Sequence, residues 1–585
     1  MATCWGLSEG HYMRWKILLG AVAITALGVD MVQAQSLTPS PQGIRQSADT
    51  ILTNGHIYTP DGWASAVAIG RGVILAVGDM GAVQPLATGQ TKVIDLHADT
   101  VLPGLHDMHV HPMGAGLDEL QCQLPHGSSP QQIFAILAEC VKGKKPGEWI
   151  TGRAYEAASF GRTPPNKAML DKIAPNNPVQ FTDISGHSSW VNSAALKLAG
   201  ITRATPDPKG GIIERDKNGE PTGILRESAS FGISSKIPRP SPAEDVRGLQ
   251  WALNAMLAQG ITAFDDALVS ADVAAAYVAI ADAGKLKQRV RGCLIVTDPT
   301  LIAQRQLYAR ERFSPSCIKI FLDGVPTDGH TAAMLDPYVP AAGRDEAGRE
   351  RGLLQVPASQ LDAMLIHFDT LGMTVKMHAA GDAAVREGLD AIAAARRANG
   401  FSGVMHDVAH NSFVAMSDIR RARDISAVFE FSPYIWFRSP IIDDIEKAVG
   451  PERMKRWIPV KDAIDAGAFV VPGSDWSVVP TVNPWIAIET LVTRRPPGGV
   501  GEPLGAEEAI SLKQAVDMFT INAARQQYAA DRTGTIERGK LADLVVIDRN
   551  IFEVPITTVH DTKVHMTIIN GEIVYDSAHP AATRP

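Results

Sequence analysis

The chain has 585 residues, of which 45% are hydrophobic and 20% are charged. This composition is typical of a globular protein with a large core, and it excludes the disordered and fibrous classes. The formal net charge is -8. Acidic and basic residues are interspersed, so there is no basic stripe that could bind a phosphate backbone, and no nucleic-acid partner is predicted.

The first residues have the pattern of a cleaved secretory signal. Arg14 and Lys16 precede a mostly apolar run from Ile17 to Val29, and the small-residue site Val32-Gln33-Ala34 follows. The run is shorter than the ~20 residues of a membrane-spanning helix. We expect a signal peptide over residues 1–34, with Met1 or Met13 as the start, and an uncleaved anchor is the alternative. The mature protein is expected to be exported, into the periplasm, without a stable membrane span.

Five cysteines are present, and Cys4 falls within the predicted signal. An exported protein can form disulfides, and Cys122 with Cys140 is among the closest remaining pairs in sequence. Sequence spacing does not show whether two sulfurs meet in space. We expect Cys122, Cys140, Cys293 and Cys317 to be buried free thiols. No Cys-x-x-Cys motif occurs, so a zinc site built from thiolates is not predicted.

Both ends of the mature chain have β-hairpin signals. After a linker rich in Ser, Pro and Gln over residues 35–48, Asn54-Gly55 lies between apolar runs, and Asn570-Gly571 does so near the other end. Asn-Gly between apolar runs is a strong hairpin signal because both turn residues must accept a positive φ. We expect residues 49–100 and 530–576 to share one small β-sandwich domain.

Between these ends, short apolar strands alternate with Ala-rich helical stretches, which predicts an α/β fold with a parallel sheet. Eight strands are predicted, the number that closes a (β/α)8 barrel of the TIM type. The predicted strands are Val101–His111, Ile261–Asp265, Val290–Val296, Ile318–Leu322, Thr374–His378, Val404–His410, Ser426–Phe431 and Phe469–Gly473. The barrel is expected over residues 101–529, and the long interval after its first strand predicts an inserted subdomain over about 113–245.

The active site of such a barrel lies at the carboxyl ends of its strands. Six candidate metal ligands occur there: His109, His111, Lys319, His378, His410 and Asp475. His109 and His111 project from the same face of the first strand because side chains alternate. Nitrogen and oxygen donors of this kind suit a divalent transition metal, most commonly zinc. Each histidine alone could be a core residue, and Asp475 could merely cap a turn, but their joint occurrence favours a metal site.

Several longer motifs resemble one known family. They are Leu102-Pro103-Gly104-Leu105 followed by Asp107-x-His109-x-His111, Gly186-His187-Ser188-Ser189-Trp190-Val191-Asn192-Ser193-Ala194-Ala195-Leu196, Ile318-Lys319-Ile320-Phe321-Leu322-Asp323-Gly324, His378-Ala379-Ala380-Gly381-Asp382, Gly473-Ser474-Asp475-Trp476 and Gly539-Lys540-Leu541-Ala542-Asp543-Leu544. From Asp49 to about Tyr575 the chain resembles the amidohydrolase superfamily. It is most similar to the amidohydrolase-3 branch of YtcJ-like metal-dependent hydrolases, which includes N-substituted formamide deformylases.

The resemblance implies a site for one or two metal ions. His109 and His111 would bind the more buried ion together with Asp475, and His378 and His410 would bind the second. Asp475 would also be the catalytic residue, taking a proton from the attacking water and returning it to the leaving group. A bound cation would supply hydroxide near neutral pH and polarise the scissile carbonyl.

Lys319 resembles the lysine that bridges the two metals as a carbamate in binuclear members of the superfamily. Carboxylation would turn an ammonium that two cations repel into an anionic ligand. An ion pair of Lys319 with Asp323 or another carboxylate is the alternative. Lys376 is a second candidate for the bridging lysine, and a mononuclear site stays open.

The resemblance implies an exported hydrolase that cleaves a non-peptide C-N bond of a small molecule, such as an N-substituted amide, a formamide or a cyclic amide. A lactone, ester or phosphotriester hydrolase on the same metal site is the first alternative. A binding protein that has lost catalysis is a further one. The sequence determines neither the substrate nor the oligomeric state, and a homo-oligomer stays open.

Three residues are predicted to bind substrate. His187 lies in a part of the insertion that reaches over the active site in relatives, and His330 replaces the Ser-Arg-Thr-Ala pattern that many relatives have after the fourth strand. Trp476 directly follows Asp475. Together with Trp436, Phe437 and Trp485, Trp476 could form an apolar wall for an aryl or alkyl substituent, although core packing is expected for at least half of these rings.

Overall fold

The structure is a computed structural model that describes residues 47–579, except 126–127, 156, 162, 184–187, 209–210, 327–329, 341–349, 433–436 and 439. The predicted signal and nearly all of the predicted linker lie outside the described residues, as do His187 and Trp436. None of the helices in the described part of the chain is both long enough and apolar enough to cross a bilayer.

The strands form three sheets, described below. In chain order they are β1 (Thr50–Thr59), β2 (Gly62–Gly70), β3 (Val73–Gly78), β4 (Lys92–Asp95), β5 (Thr100–Pro103), β6 (Leu105–Val110), β7 (Cys122–Gln123), β8 (Ile150–Tyr155), β9 (Val179–Asp183), β10 (Ser188–Val191), β11 (Gly211–Arg215), β12 (Pro221–Glu227), β13 (Ile261–Val269), β14 (Arg289–Ile295), β15 (Phe313–Phe321), β16 (Thr374–Ala379), β17 (Asp407–His410), β18 (Val428–Phe431), β19 (Phe469–Pro472), β20 (Leu544–Ile547), β21 (Val564–Ile569) and β22 (Glu572–Asp576).

Helices follow most of the strands of the central sheet. In chain order the helices are α1 (Met80–Val83), α2 (Pro112–Glu119), α3 (Pro130–Lys142), α4 (Lys167–Asp171), α5 (Ser193–Leu198), α6 (Ser228–Ser234), α7 (Pro242–Leu257), α8 (Ala271–Asp282), α9 (Pro299–Ala303), α10 (Ala358–Thr370), α11 (Asp382–Asn399), α12 (Met416–Ala422), α13 (Pro440–Val449), α14 (Pro451–Met454), α15 (Val460–Asp465), α16 (Pro484–Thr493), α17 (Leu512–Asp517) and α18 (Ala523–Gln526).

The central sheet confirms the predicted α/β barrel. Its eight strands follow the order β6, β13, β14, β15, β16, β17, β18, β19, and every adjacent pair is parallel. The chain just after β19 closes the barrel against β6, because Asp475 N donates to His109 O at 2.7 Å and His111 N donates to Trp476 O at 2.5 Å. The carboxyl ends of β6 and β19 therefore meet where the ligand candidates lie.

The predicted strand Val101–His111 is wrong as a single strand. It is divided at Gly104 into β5, which pairs with β1 and β20, and β6, which pairs with β13. A Cβ at Gly104 would lie 2.3 Å from Thr262 Oγ1, so only glycine allows this close approach. At Gly104 the chain thus passes from the sheet that contains β1 and β20 into the barrel.

The two Asn-Gly signals have different outcomes. Asn570-Gly571 does form the turn between β21 and β22, with positive φ at both residues. Asn54-Gly55 forms no hairpin, because β1 continues through it to Thr59. The positive φ of Asn54 lies instead at an irregularity in the pairing of β1 with β2, where the other edge of β1 changes partner from β4 to β5.

Of the other two sheets, one is built from the two ends of the described chain and one from the segment between β6 and β13. The terminal sheet has the order β22, β21, β20, β5, β1, β2, β3, with β4 also paired to β1, so strands from both ends of the described chain share it. The inserted segment forms a six-stranded sheet with the order β11, β12, β10, β9, β8, β7. This inserted sheet has its own apolar core, in which the fully buried Trp190 packs against aromatic rings that include Phe160, at a centroid distance of 5.2 Å.

The expectation of free thiols is wrong. Cys122 and Cys140 form a disulfide that joins β7 to α3 in the insertion. Cys293 and Cys317 form a second one, and these two residues are register partners on the neighbouring barrel strands β14 and β15. Spacing along the chain could not show this proximity, because it arises from strand register and from the packing of the insertion.

Candidate metal centre

Three of the predicted ligands meet at the closure of the barrel. His109 lies on β6, His111 directly follows β6, and Asp475 follows β19. His111 Nε2 is 3.2 Å from Asp475 Oδ1, and His109 Nε2 is 3.7 Å from the same oxygen. One donor atom from each of the three residues lies within 4.8 Å of the other two. This spacing fits ligands that surround one cation.

Asp107 holds these ligands in register. Its Oδ1 atom accepts hydrogen bonds from the backbone N–H of His109 at 3.1 Å and from that of Ser474 at 2.9 Å, so one carboxylate joins the end of β6 to the segment after β19. Burial raises the pKa of Asp107 to about 6, against the lowering effect of these donors. Asp475 itself has a left-handed backbone with φ of 60°.

His378 and His410 extend the cluster across the barrel mouth. They lie at the ends of β16 and β17, with ring centroids 4.3 Å apart, and the His410 ring is 4.8 Å from that of His109. The buried Nε2 of His410 has no hydrogen-bond partner among the described residues. A buried imidazole nitrogen without a partner is uncommon in proteins, and a metal ion would satisfy it.

Asp323 supports the His378 side of the cluster. Its two carboxylate oxygens accept hydrogen bonds from the backbone N–H groups of Ala333, Ala380 and Gly381, at 2.9–3.0 Å. Its Oδ1 also lies 3.7 Å from His378 Nε2, which is 3.1 Å from Gly324 O. Asp323 therefore forms hydrogen bonds with the segments that follow β15 and β16, and the structure does not pair it with Lys319.

Lys319 lies among histidines. It is fully buried on β15, and its Nζ is 3.1 Å from His109 Nε2. Among the described residues, no carboxylate oxygen lies within 4.0 Å of Nζ. Burial lowers the pKa of Lys319 to about 8, more than the nearby Glu430 and Asp475 raise it. The ion-pair alternative for Lys319 has no partner in the described part of the chain.

Lys376 has the opposite surroundings. Its ammonium donates to Asp407 Oδ2 at 2.5 Å and to Glu430 Oε2, and Asp265 Oδ2 is 3.7 Å away. All four side chains have no exposed surface. Burial lowers the pKa of Lys376, but the three carboxylates outweigh burial and raise it above its ordinary value. Lys376 is therefore the lysine in the salt bridge, and it is less suited than Lys319 to carboxylation.

Sequence reasoning missed the carboxylate that contacts His109. Glu430 Oε1 lies 2.6 Å from His109 Nδ1, within hydrogen-bond distance, and both side chains are almost fully buried. The signal in the sequence is a single charged residue in the apolar run Val428–Phe431, where a barrel strand was predicted. A charged side chain inside such a strand needs a partner in the barrel interior.

The predicted substrate-binding residues are only partly described. His330 is buried, and its ring stacks on that of Tyr338 at a centroid distance of 4.3 Å. Trp476 is 7% exposed and packs beside Trp251 of α7, with ring centroids 6.1 Å apart. Trp485 is fully buried in the core, and Phe437 is half-buried.

Comparison with known proteins identifies the family. The model of the amidohydrolase family matches residues 92–575. The chain belongs to the amidohydrolase family. The resemblance predicted from its motifs is thereby confirmed, and the protein is an enzyme of the hydrolase class.

Three other proteins align along nearly all of the chain. The N-substituted formamide deformylase of Arthrobacter pascens is 28% identical over 550 residues, which cover 91% of this chain and 99% of that protein. The putative amidohydrolase YtcJ of Bacillus subtilis is 29% identical, covering 90% and 99%. The protein LONG AFTER FAR-RED 3 of Arabidopsis thaliana is 30% identical, covering 89% and 90%.

A solved structure shares the fold of this amidohydrolase. An uncharacterized metal-dependent hydrolase from Pyrococcus horikoshii OT3 superposes with a TM-score of 0.70 at 23% identity, covering 87% of this chain and 99% of that one. At this identity the likeness shows the fold, and the chemistry depends on the side chains at the barrel mouth.

Proposed function

We propose that this amidohydrolase-family enzyme binds one or two divalent metal ions, with zinc preferred, and hydrolyses a non-peptide C-N bond of a small molecule. The observation that carries the proposal is the convergence of four histidines and Asp475 around Lys319 at the mouth of the barrel. The N-substituted formamide deformylase among the relatives supports an amide or formamide substrate over an ester.

The donor set fits a metal ion. His109, His111 and Asp475 would hold the first ion, and His378 and His410 would hold the second. The unpartnered Nε2 of His410 supports this division. When bound, a divalent cation lowers the pKa of a bound water and polarises the scissile carbonyl.

Asp475 is the proposed proton-transfer residue. Its side chain is 16% exposed, whereas that of His109 is 1% exposed, so Asp475 can be reached by both substrate and water. Its carboxylate would accept the proton of the attacking water and return it to the departing nitrogen. His111, at 21% exposure, lies on the same open side of the cluster.

Lys319 is proposed to be carboxylated. Addition of carbon dioxide to its neutral amine forms an N–C bond and releases one proton, which leaves an anionic oxygen ligand between the two ion positions. The position of Nζ beside His109 and away from carboxylates supports this modification. Lys376, which lies in a salt bridge, would stay an ammonium.

We also propose that the protein is exported to the periplasm. The secretory pattern of the first residues supports export. The Cys122–Cys140 and Cys293–Cys317 disulfides support an oxidising compartment. Cell fractionation with mass spectrometry of the mature amino terminus tests this: a start near Gln35 in the periplasmic fraction is expected, and an intact amino terminus in the cytosol would contradict it.

The catalytic proposal is tested by metal analysis coupled to matched substrates. Purified protein is expected to contain a stoichiometric divalent metal and to hydrolyse N-substituted formamides or amides faster than the matched esters. Asp475→Asn is expected to lose about 10²- to 10⁴-fold in kcat through loss of proton transfer. A metal-free protein that is inert to every amide offered would contradict the proposal. An ester preference abolished by Asp475→Asn would favour the ester alternative.

A further inference from the structure

A buried network of charged residues fills the barrel beneath the candidate metal centre. We call Asp265, Arg291, Lys376, Asp407 and Glu430 the lumen network; they lie on β13, β14, β16, β17 and β18 in that order. Lys376 joins Asp407 and Glu430 as described above, and Arg291 Nε donates to Asp265 Oδ1 at 3.0 Å. All five side chains are buried.

One atom connects this network to the predicted ligands. Glu430 Oε1 is 2.6 Å from His109 Nδ1, while Glu430 Oε2 accepts a hydrogen bond from Lys376. Gly473 makes room for this contact, because a Cβ there would lie 2.4 Å from His109 Cβ and 2.8 Å from Glu430 Oε1. The Gly473-Ser474-Asp475 motif thus leaves space for Glu430 and also contains the predicted ligand Asp475.

The contact determines which nitrogen His109 offers. An ionised Glu430 can only accept, so its contact with His109 requires the proton on Nδ1 and leaves the lone pair on Nε2. Nε2 is the atom that faces Lys319 Nζ at 3.1 Å and Asp475 Oδ1 at 3.7 Å. Glu430 therefore holds His109 in the tautomer that a metal ligand at this position needs.

The formal charges of the lumen network do not balance. Two cations, Arg291 and Lys376, face three carboxylates, which leaves one formal negative charge among these five side chains. The nearby buried Lys319 offsets part of this charge from the His109 side. An uncompensated buried charge is costly. A metal cation bound to His109 Nε2 would lie across the His109 ring from Glu430. Its positive charge would offset this excess negative charge.

We infer that Glu430 is a positioning residue for the metal centre, fixing the tautomer of His109 and adding negative charge behind it, so that metal affinity depends on Glu430 far more than on the rest of the lumen network. This inference rests on the proposed function, because it assumes that His109 binds a metal ion. It assigns Glu430 no contact with substrate.

Asp407 offers a matched control. Like Glu430 it is fully buried and bonded to Lys376, and it also accepts from Gln526 Nε2 at 2.9 Å. In the described part of the chain, the Asp407 side chain bonds to Lys376 and Gln526 and not to His109. Glu430→Gln and Asp407→Asn each remove one negative charge next to Lys376, but only the first changes the partner of a predicted ligand.

The experiment measures zinc affinity by chelator competition on metal-free wild type, Glu430→Gln and Asp407→Asn. We expect Glu430→Gln to lose about 10- to 100-fold in affinity, with a shifted visible spectrum in the cobalt-loaded protein, and Asp407→Asn to bind within about 3-fold of wild type. Circular dichroism of the metal-free forms checks folding. If Glu430→Gln does not fold, Glu430→Asp, which keeps the charge but draws back from His109, is expected to weaken binding in the same direction.

Two results would overturn the inference. Zinc affinity equal to wild type in the folded Glu430 variants would show that His109 needs no carboxylate behind it. An equal loss in Asp407→Asn would show that the network acts only through general stability. A wild-type protein that binds no zinc would instead contradict the proposed function, so the two failures are distinguishable.

Discussion

Two buried lysines, Lys319 and Lys376, are register partners on neighbouring barrel strands, yet their surroundings differ in kind. Lys319 faces His109, and burial lowers its pKa to about 8. Lys376 faces Asp407 and Glu430, whose charges raise its pKa in spite of burial. The same residue type at the same level of a barrel can thus lie beside a histidine or among carboxylates, and the residues of the adjacent strands decide which.

The largest expected effect is on the stability of the Lys376 variant. Lys376→Met leaves Glu430 and Asp407 buried without their cation, and breaking a buried pair in this way costs about 3–5 kcal/mol. Urea unfolding of the metal-free protein measures this loss. Stability equal to wild type would mean that Lys376 does not hold the lumen network together.

The next largest effect is on metal binding by the Lys319 variant. Residues behind metal ligands typically contribute 10- to 100-fold to affinity, so loss of the proposed bridging ligand in Lys319→Met is expected to cost more than about 100-fold at the second ion. Metal stoichiometry after dialysis checks this, with Lys319→Arg as a control that keeps a cation but cannot be carboxylated. Two tightly bound ions in either variant would exclude the bridging role.

A double substitution tests the contact between Lys376 and Glu430, and its expected effect on stability is intermediate in size. Lys376→Met combined with Glu430→Gln removes one charge of each sign, so its loss of stability should fall short of the sum of the two single losses. A coupling energy of about 1–3 kcal/mol is expected for residues in direct contact. Additive losses in urea unfolding would show that the Lys376–Glu430 contact contributes little.

The smallest effect concerns the stability of metal-free Lys319→Met. Because no carboxylate within 4.0 Å of Nζ pairs with Lys319 in the described part of the chain, losing its charge should change the free energy of unfolding by less than about 1 kcal/mol, in either direction. Urea unfolding of metal-free Lys319→Met measures this change. A loss as large as that of Lys376→Met would remove the distinction between the two lysines.

The barrel and the strand ends that carry the candidate ligands were predictable because both depend on local patterns. Short apolar strands ending in His109, His378 and His410 indicate the barrel and the edge at which those side chains meet. The two signals that misled, the continuous apolar run Val101–His111 and the pair Asn54-Gly55, are also local. Asn54 needs only a positive φ, which an irregular strand pairing uses as readily as a hairpin turn does.

What could not be predicted depends on register between strands. The Cys293–Cys317 disulfide and the Glu430–His109 contact both join residues far apart in sequence. Charged residues inside apolar strands, such as Glu430, indicate that partners exist without showing which ones. Ranking Lys319 above Lys376 as the candidate for carboxylation likewise required their neighbours on adjacent strands.

The most direct measurement is an anomalous difference map from crystals of the zinc-loaded protein, collected at the zinc edge. A peak is expected about 2.0–2.2 Å from His109 Nε2, His111 and Asp475. A second peak is expected beside His378 and His410, with density for a carboxylated Lys319 between the two. No peak among these side chains, in crystals that hold zinc elsewhere or not at all, would contradict the proposed metal centre.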